Sequence, residues 1–228
     1  MRGIAFIGGE GPPVSRRRAL AAPGCLIVAA DSGLEAAEQA GIRPHWIIGD
    51  MDSLADTARL DRYPPDRVIR YPRHKDYTDT ELAIQLLWDQ GCDAVWLAGG
   101  GGGRTDHLLA VYALFERDRP PDRWITARED IWRLQAGECM SQAGIGAAAA
   151  LQEDAPDKPL GVSVFPLRSG PWKAESRGLH WPLDNFGWNR GVFGISNAAP
   201  QGRFCIRALE GRFLVMIFQN GISIDDSW

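Results

Sequence analysis

LIVAADSGLEAAEQAG, Leu26 to Gly41, changes its period at Asp31. Leu26–Ala30 is a short, continuous apolar run, the composition of a strand buried on both faces. From Gly33 to Ala40 the apolar positions return at helical spacing. Ser32-Gly33-Leu34-Glu35 fits the S/T-x-x-E pattern in which a hydroxyl and a carboxylate satisfy the free amides of a helix start. A strand that becomes a helix within three residues is half of a βαβ unit. The question is whether the rest of the chain repeats it.

It does so over the first half. Ile4–Gly8, His45–Gly49, Arg67–Tyr71 and Ala94–Ala98 read as further buried strands, and Asp79–Gln90 and Thr105–Arg117 as helices. Thr78-Asp79-Thr80-Glu81 supplies a second capping-box pattern. The alternation predicts a parallel-sheet α/β domain over residues 1–130, with ligands at the carboxyl edge of the sheet. After about Trp124 the pattern changes. WITARED, IWRLQAG, GVSVFPL and FLVMIFQ carry turn residues between them and no convincing helix, which predicts an all-β sandwich, jelly-roll-like, over residues 131–228. Gly146–Pro159, GAAAALQEDAPDKP, reads as an exposed loop interrupting it.

The bulk numbers narrow the function classes. A formal net charge of −4 on 228 residues gives no support to a polyanion-binding surface. No apolar run approaches the roughly 18 residues that span a bilayer. The opening MRGIAFIGG is too quickly ended by glycine for a signal peptide, so a cytoplasmic protein is expected. Cys25, Cys92, Cys139 and Cys205 lie far apart without metal-ligand spacing and read as small core residues.

Chemistry concentrates in four stretches. IIGDMDSL, Ile47–Leu54, ends an apolar run on Asp50 and Asp52. In an extended chain, residues two apart project to the same side, so both carboxylates would aim at one point, where a cation offsets their repulsion. The plain alternative is a turn cap and a solvated acid. In KDYTDTE, Lys75 reads as a phosphate contact and Asp79 as a third metal-side carboxylate. Alternatively, they are a loop lysine and a favourable charge at a helix N-terminus. LAGGGGGRTDHLL, Leu97–Leu109, runs five glycines from a strand into a helix. Glycine lets backbone amides approach a phosphate, and the helix start favours anions. Arg104 could grip a phosphate with its planar fork, while Asp106 and His107 begin the helix. Asp31 ends its strand in AADSG. All of these fall just after strands, at one sheet edge, and together suggest a magnesium–polyphosphate site with room for a second, cationic or hydroxyl-bearing substrate.

ADSG, GDMDS, KDYTDTELA and GGGGGRTDH, in this order, resemble the thiamine pyrophosphokinase (thiamine diphosphokinase) family. The resemblance is strong from Ile4 to Leu114 and continues weakly through FGISNAA, Phe193–Ala199. It implies a homodimeric enzyme with an ATP-binding α/β catalytic domain and a thiamine-binding, dimerising β-sandwich. The reaction implied is transfer of the pyrophosphoryl group of ATP to the thiamine hydroxyl, with release of AMP. Asp50, Asp52 and Asp79 would hold Mg2+. Lys75, Thr78, Gly100, Gly102, Gly103, Arg104, Asp106 and His107 would face ATP, with Lys75 also catalytic. Asp31, Ser196 and Asn197 would lie near thiamine. Asp50 or Asp79 is expected to accept the hydroxyl proton.

Three positions depart from the family pattern. Ser32 stands where a second glycine is usual, and Ala198 where an acid is common. GRFLVMIF lacks the tryptophan that stacks on the pyrimidine, for which Trp181, Trp188 or Phe213 could substitute. Two rivals exist. One is a phosphatase of the haloacid-dehalogenase type, although Asp50-Met51-Asp52-Ser53-Leu54 lacks its D-x-D-G-T continuation. The other is a non-catalytic thiamine or nucleotide binding module.

Overall fold

The computed structural model describes residues 1–142, 144–145 and 158–218. It divides into Met1–Ala127 and Arg128–Trp228. In the first unit the strands are β1 (Arg2–Phe6), β2 (Leu26–Ala30), β3 (Trp46–Gly49), β4 (Val68–Arg70), β5 (Ala94–Ala98) and β6 (Arg123–Ile125). The helices are α1 (Val14–Leu20), α2 (Gly33–Gln39), α3 (Asp79–Asp89) and α4 (Thr105–Leu114). The strands pair in parallel in the order β6-β5-β1-β2-β3-β4. β1 and β2 bury four of their five residues each, as continuous apolar runs should when helices cover both faces.

Among the described residues, two of the clusters that hold this unit are clear. Ile4, Phe6, Leu20, Ile27, Ala37, Ala98 and Ile125 form one, and Ala29, Leu34, Ile47, Met51, Leu54, Leu60 and Tyr63 the other. Each large side chain so buried contributes about 1.5–3 kcal/mol. α3 packs Ala83, Ile84 and Leu87 inward and starts on the predicted capping box: Glu81 N–H donates to Thr78 Oγ1, and Thr78 N–H to the Glu81 carboxylate.

The predicted box at Ser32 is not formed. Asp31 takes a left-handed φ of 47°, so Ser32 is already helical and its hydroxyl caps nothing. Glu35 instead accepts from Ala55 N–H at 2.9 Å, tying the loop after β3 to α2. α1 was not legible in VSRRRAL, whose three arginines hide its one buried residue, Leu20. β6 overlaps the start of WITARED, which was read with the all-β half; it pairs in parallel with β5 instead.

The second unit contains β7 (Glu129–Gln135), β8 (Cys139–Ser141), β9 (Gly144–Ile145), β10 (Leu160–Leu167), β11 (Lys173–Arg177), β12 (Gly194–Ala199), β13 (Cys205–Glu210) and β14 (Arg212–Phe218). They pair antiparallel as β12-β10-β14-β7 and β11-β13-β8-β9. Leu134, Met140, Val162, Val164, Phe204, Ile206, Phe213 and Val215 from both sets share one core. Among the described residues this unit has no helix. The loop expected at 146–159 lies outside the described residues up to 157. All four cysteines are free, with Cys92 and Cys139 buried and Cys25 and Cys205 half-buried. No helix among the described residues is long and apolar enough to cross a membrane.

Candidate active site

β2 and β3 run side by side, with Ala30 opposite Ile48, so the residues that follow them emerge together at the carboxyl edge. Asp31 leaves β2 and Asp50 leaves β3. Asp79 opens α3, which packs on both strands. One carboxylate oxygen from each lies within 4.8 Å of the others. Gly49 makes this possible: a Cβ there would sit 2.3 Å from Asp31 Oδ1 and 3.2 Å from Asp79 Oδ1.

Lys75 is set into the cluster, its Nζ 3.3 Å from Asp50 Oδ2 and 3.1 Å from Asp79 Oδ1. Burial works against its charge, yet the Asp79 and Asp50 carboxylates hold it above the ordinary lysine value. For Asp50, burial pushes the other way, but the Asp52 amide and Lys75 bring its carboxyl below the usual range. Asp31 is the acid left over. Burial, then the charges of Asp79 and Asp50, push it up to about 7 despite the hydrogen bond its Oδ1 accepts from Met51 N–H at 2.9 Å.

The extended Asp-Met-Asp geometry expected from the sequence is not observed. Met51 has φ 65°, and Asp52 N–H turns back to donate to Asp50 Oδ1 at 3.1 Å. Asp52 pairs with Arg73 at 3.2 Å and stays outside the three-carboxylate group, although its side chain remains in contact with that of Asp50. Asp31, which resemblance put near thiamine, stands in the acidic cluster. Arg73 was not singled out, since an arginine in a polar loop carries no signal of its own.

A cavity of about 680 Å³ joins these residues to the glycine run. Asp31, Asp50, Asp52, Lys75, Thr78, Asp79, Gly102, Gly103, Arg104, Asp106 and His107 all line it. Arg104 and Asp106 are exposed and pair with each other at 2.5 Å, which holds the Asp106 carboxyl down at about 2. Gly100 is buried and does not line the cavity, since its N–H donates to Gly8 O at 2.7 Å. In the second unit, Ser196 is exposed with φ 58°. Asn197 is 4% exposed and spends its amide on the backbone: Oδ1 accepts from Trp181 and Ala198, and Nδ2 donates to Trp181 O. Of the aromatic substitutes, Phe213 is wholly buried and Trp188 packs against that core. Trp181 is 53% exposed.

The raised Asp31 carboxyl makes stability depend on pH. Between its unfolded value of 3.8 and its folded value of about 7, the folded chain keeps a proton that the unfolded chain has lost. That contribution is complete below the lower value and is lost as pH rises through the upper one. Urea midpoints measured in EDTA should fall from about pH 5 to about pH 8, and more steeply for the native chain than for Asp31→Asn. Parallel profiles would overturn the assignment.

A parallel sheet carrying carboxylates, a half-buried lysine and an open helix start at its carboxyl edge defines a class: proteins that handle phosphorylated ligands there. The comparisons are more specific. Residues 19–121 match the family described as the thiamin pyrophosphokinase catalytic domain. A thiamine pyrophosphokinase of Bacillus subtilis (strain 168) is 33% identical over 86 residues, an alignment spanning 37% of this chain and 40% of the relative. A thiamin pyrophosphokinase structure from Geobacillus thermodenitrificans superposes with TM-score 0.71 at 25% identity, covering 96% of this chain and 98% of the other. One from Candida albicans shares the fold, with TM-score 0.67 at 16% identity over 95% and 88% of the two chains. By its catalytic-domain segment and by its fold, the chain is similar to the thiamin pyrophosphokinases.

Proposed function

We propose that this protein is a thiamine diphosphokinase, moving the pyrophosphoryl group of ATP to the thiamine hydroxyl and releasing AMP. The observation that carries the reading is the single cavity in which Asp31, Asp50, Asp79 and Lys75 face Gly102, Gly103 and the start of α4. The donor set fits a divalent metal. Three carboxylates converge, and Asp79 Oδ1 is buried without a well-aligned hydrogen bond. Asp50 and Asp79, with Asp31, would hold Mg2+, which supplies charge neutralisation on the polyphosphate. Asp52, on the same cavity wall but paired with Arg73, would stay outside that set.

The protein groups have separable tasks. Lys75 and the α4 amides bind phosphate oxygens, and they are fixed before substrate arrives. Arg104 is free to trade Asp106 for a phosphate. One carboxylate of the cluster, Asp50 or Asp79 as the sequence suggested, would take the hydroxyl proton. Trp181 offers the aromatic face for thiamine, with Ser196 beside the buried Asn197. We place the reaction in the cytoplasm, with the β-sandwich unit serving thiamine binding and homodimer formation.

The test is AMP release from ATP with and without thiamine and Mg2+, with the thiamine product identified. AMP together with thiamine diphosphate, abolished by EDTA, is expected. ADP or free phosphate would move the protein to another phosphotransfer class, and saturable thiamine binding without AMP would make it a binding module.

A further inference from the structure

The five-glycine run does not act as one unit. Gly99 N–H donates to Ile125 O at 3.0 Å, Gly100 N–H to Gly8 O at 2.7 Å, and Gly101 N–H to Glu10 O at 2.9 Å. Glu10 N–H returns a bond to Gly101 O at 2.7 Å. The first three amides are therefore spent on protein carbonyls and cannot bind phosphate. Gly102 and Gly103, both exposed, carry the run into α4. Where those two residues stand is decided by how Gly99–Gly101 is anchored.

Most of that anchorage is backbone. A side-chain contribution comes from Trp124 on β6, whose Nε1–H donates to Gly99 O at 2.7 Å in a buried position. The same indole lies against Phe115, the residue that ends α4, with ring centroids 6.5 Å apart and planes 29° from parallel. Trp124 thus touches the entry to the glycine run and the far end of the helix that the run feeds. It is itself only 2% exposed and lines none of the active-site cavity. A rigid link between two ends of one loop–helix unit fixes the direction in which its N-terminus points.

We infer that Trp124 is a positioning residue for the nucleotide. It holds the Gly102–Gly103 segment and the α4 N-terminus at the place where the polyphosphate binds, without contacting it. This rests on the diphosphokinase reading. The side chain acts on one substrate only: the glycine run faces the phosphates, so loosening it weakens ATP and leaves the thiamine contacts alone.

The experiment is Trp124→Phe, which keeps a ring against Phe115 and removes the donor to Gly99 O. Expected are a rise of about tenfold in KM for ATP, a change under about twofold in KM for thiamine, and faster amide exchange confined to residues 99–104. Calorimetric binding of a non-hydrolysable ATP analogue should weaken by the same factor. If Trp124→Phe does not fold, Phe115→Leu carries the test, since it keeps the hydrogen bond and loses the ring contact. The same ATP-selective loss is then expected. Unchanged KM for ATP in the folded variant, or equal rises for both substrates, would overturn the inference. A native chain that neither binds the analogue nor releases AMP would instead overturn the functional reading beneath it.

Discussion

Asp50→Asn should lose about a hundredfold to a thousandfold in turnover while remaining folded. The replacement has the same shape. Its amide oxygen can still accept the Asp52 N–H that Asp50 Oδ1 accepts at 3.1 Å, so the turn after β3 keeps its shape. What disappears is one of three crowded carboxylates. The lost attraction to Lys75, 3.3 Å away, is offset by relief of repulsion with Asp31 and Asp79. Urea midpoints should therefore move little. Cation affinity should not be spared, because two carboxylates facing one ammonium leave far less negative charge than three. The measurement is AMP release against Mg2+ concentration, beside a denaturation curve. Near-native turnover at ordinary Mg2+ would remove Asp50 from the catalytic machinery. Asp52→Asn is the informative comparison. Its carboxylate is turned to Arg73, and a loss of about tenfold or less is expected.

The contrast between Asp50 and Asp52 shows where sequence reading stops. Strand ends were legible because buried apolar runs are short and sharply bounded, and the carboxylates sat at those boundaries. The direction each carboxylate takes was not legible. It depends on single backbone angles, 47° at Asp31 and 65° at Met51, and no sequence pattern encodes a left-handed aspartate or methionine. Adjacency was equally hidden. That Asp31 joins Asp50 follows from β2 pairing with β3, and sequence order alone does not supply the pairing. The glycine run was recognised as a ligand loop, but the division between its anchored and open halves needed the Gly8–Glu10 turn, far away in the chain. Asn197 was placed near thiamine by the family resemblance of FGISNAA; burial turns it into a clamp on Trp181.

Gly33→Ala should be among the most damaging of the small substitutions in the α/β unit. Gly33 is the first residue of α2, and a Cβ there would lie 2.0 Å from Phe6 O, 2.5 Å from Phe6 C and 2.8 Å from Ile7 N. These are backbone atoms at the end of the central strand, so no side-chain rotation relieves the clash. The helix must move instead. Leu34 and Ala37, both wholly buried, move with it, and the Asp31 turn that begins one residue before Ser32 is dragged as well. Overpacking against rigid surroundings costs about 1–3 kcal/mol, and a clash with backbone belongs at or above the upper end, about 3–5 kcal/mol. For a chain of this size that lowers the melting temperature by about 6–20 °C. Gly24→Ala is the control. Its φ is +87° but nothing lies within 4 Å, so it should cost only the strain of a left-handed residue, about 1–2 kcal/mol. Thermal melts of both variants separate close approach from backbone strain. If Gly33→Ala melts within a degree or two of Gly24→Ala, α2 does not sit as tightly on β1 as the structure has it. The position of Asp31, and with it the geometry of the acidic cluster, would then have to be drawn differently.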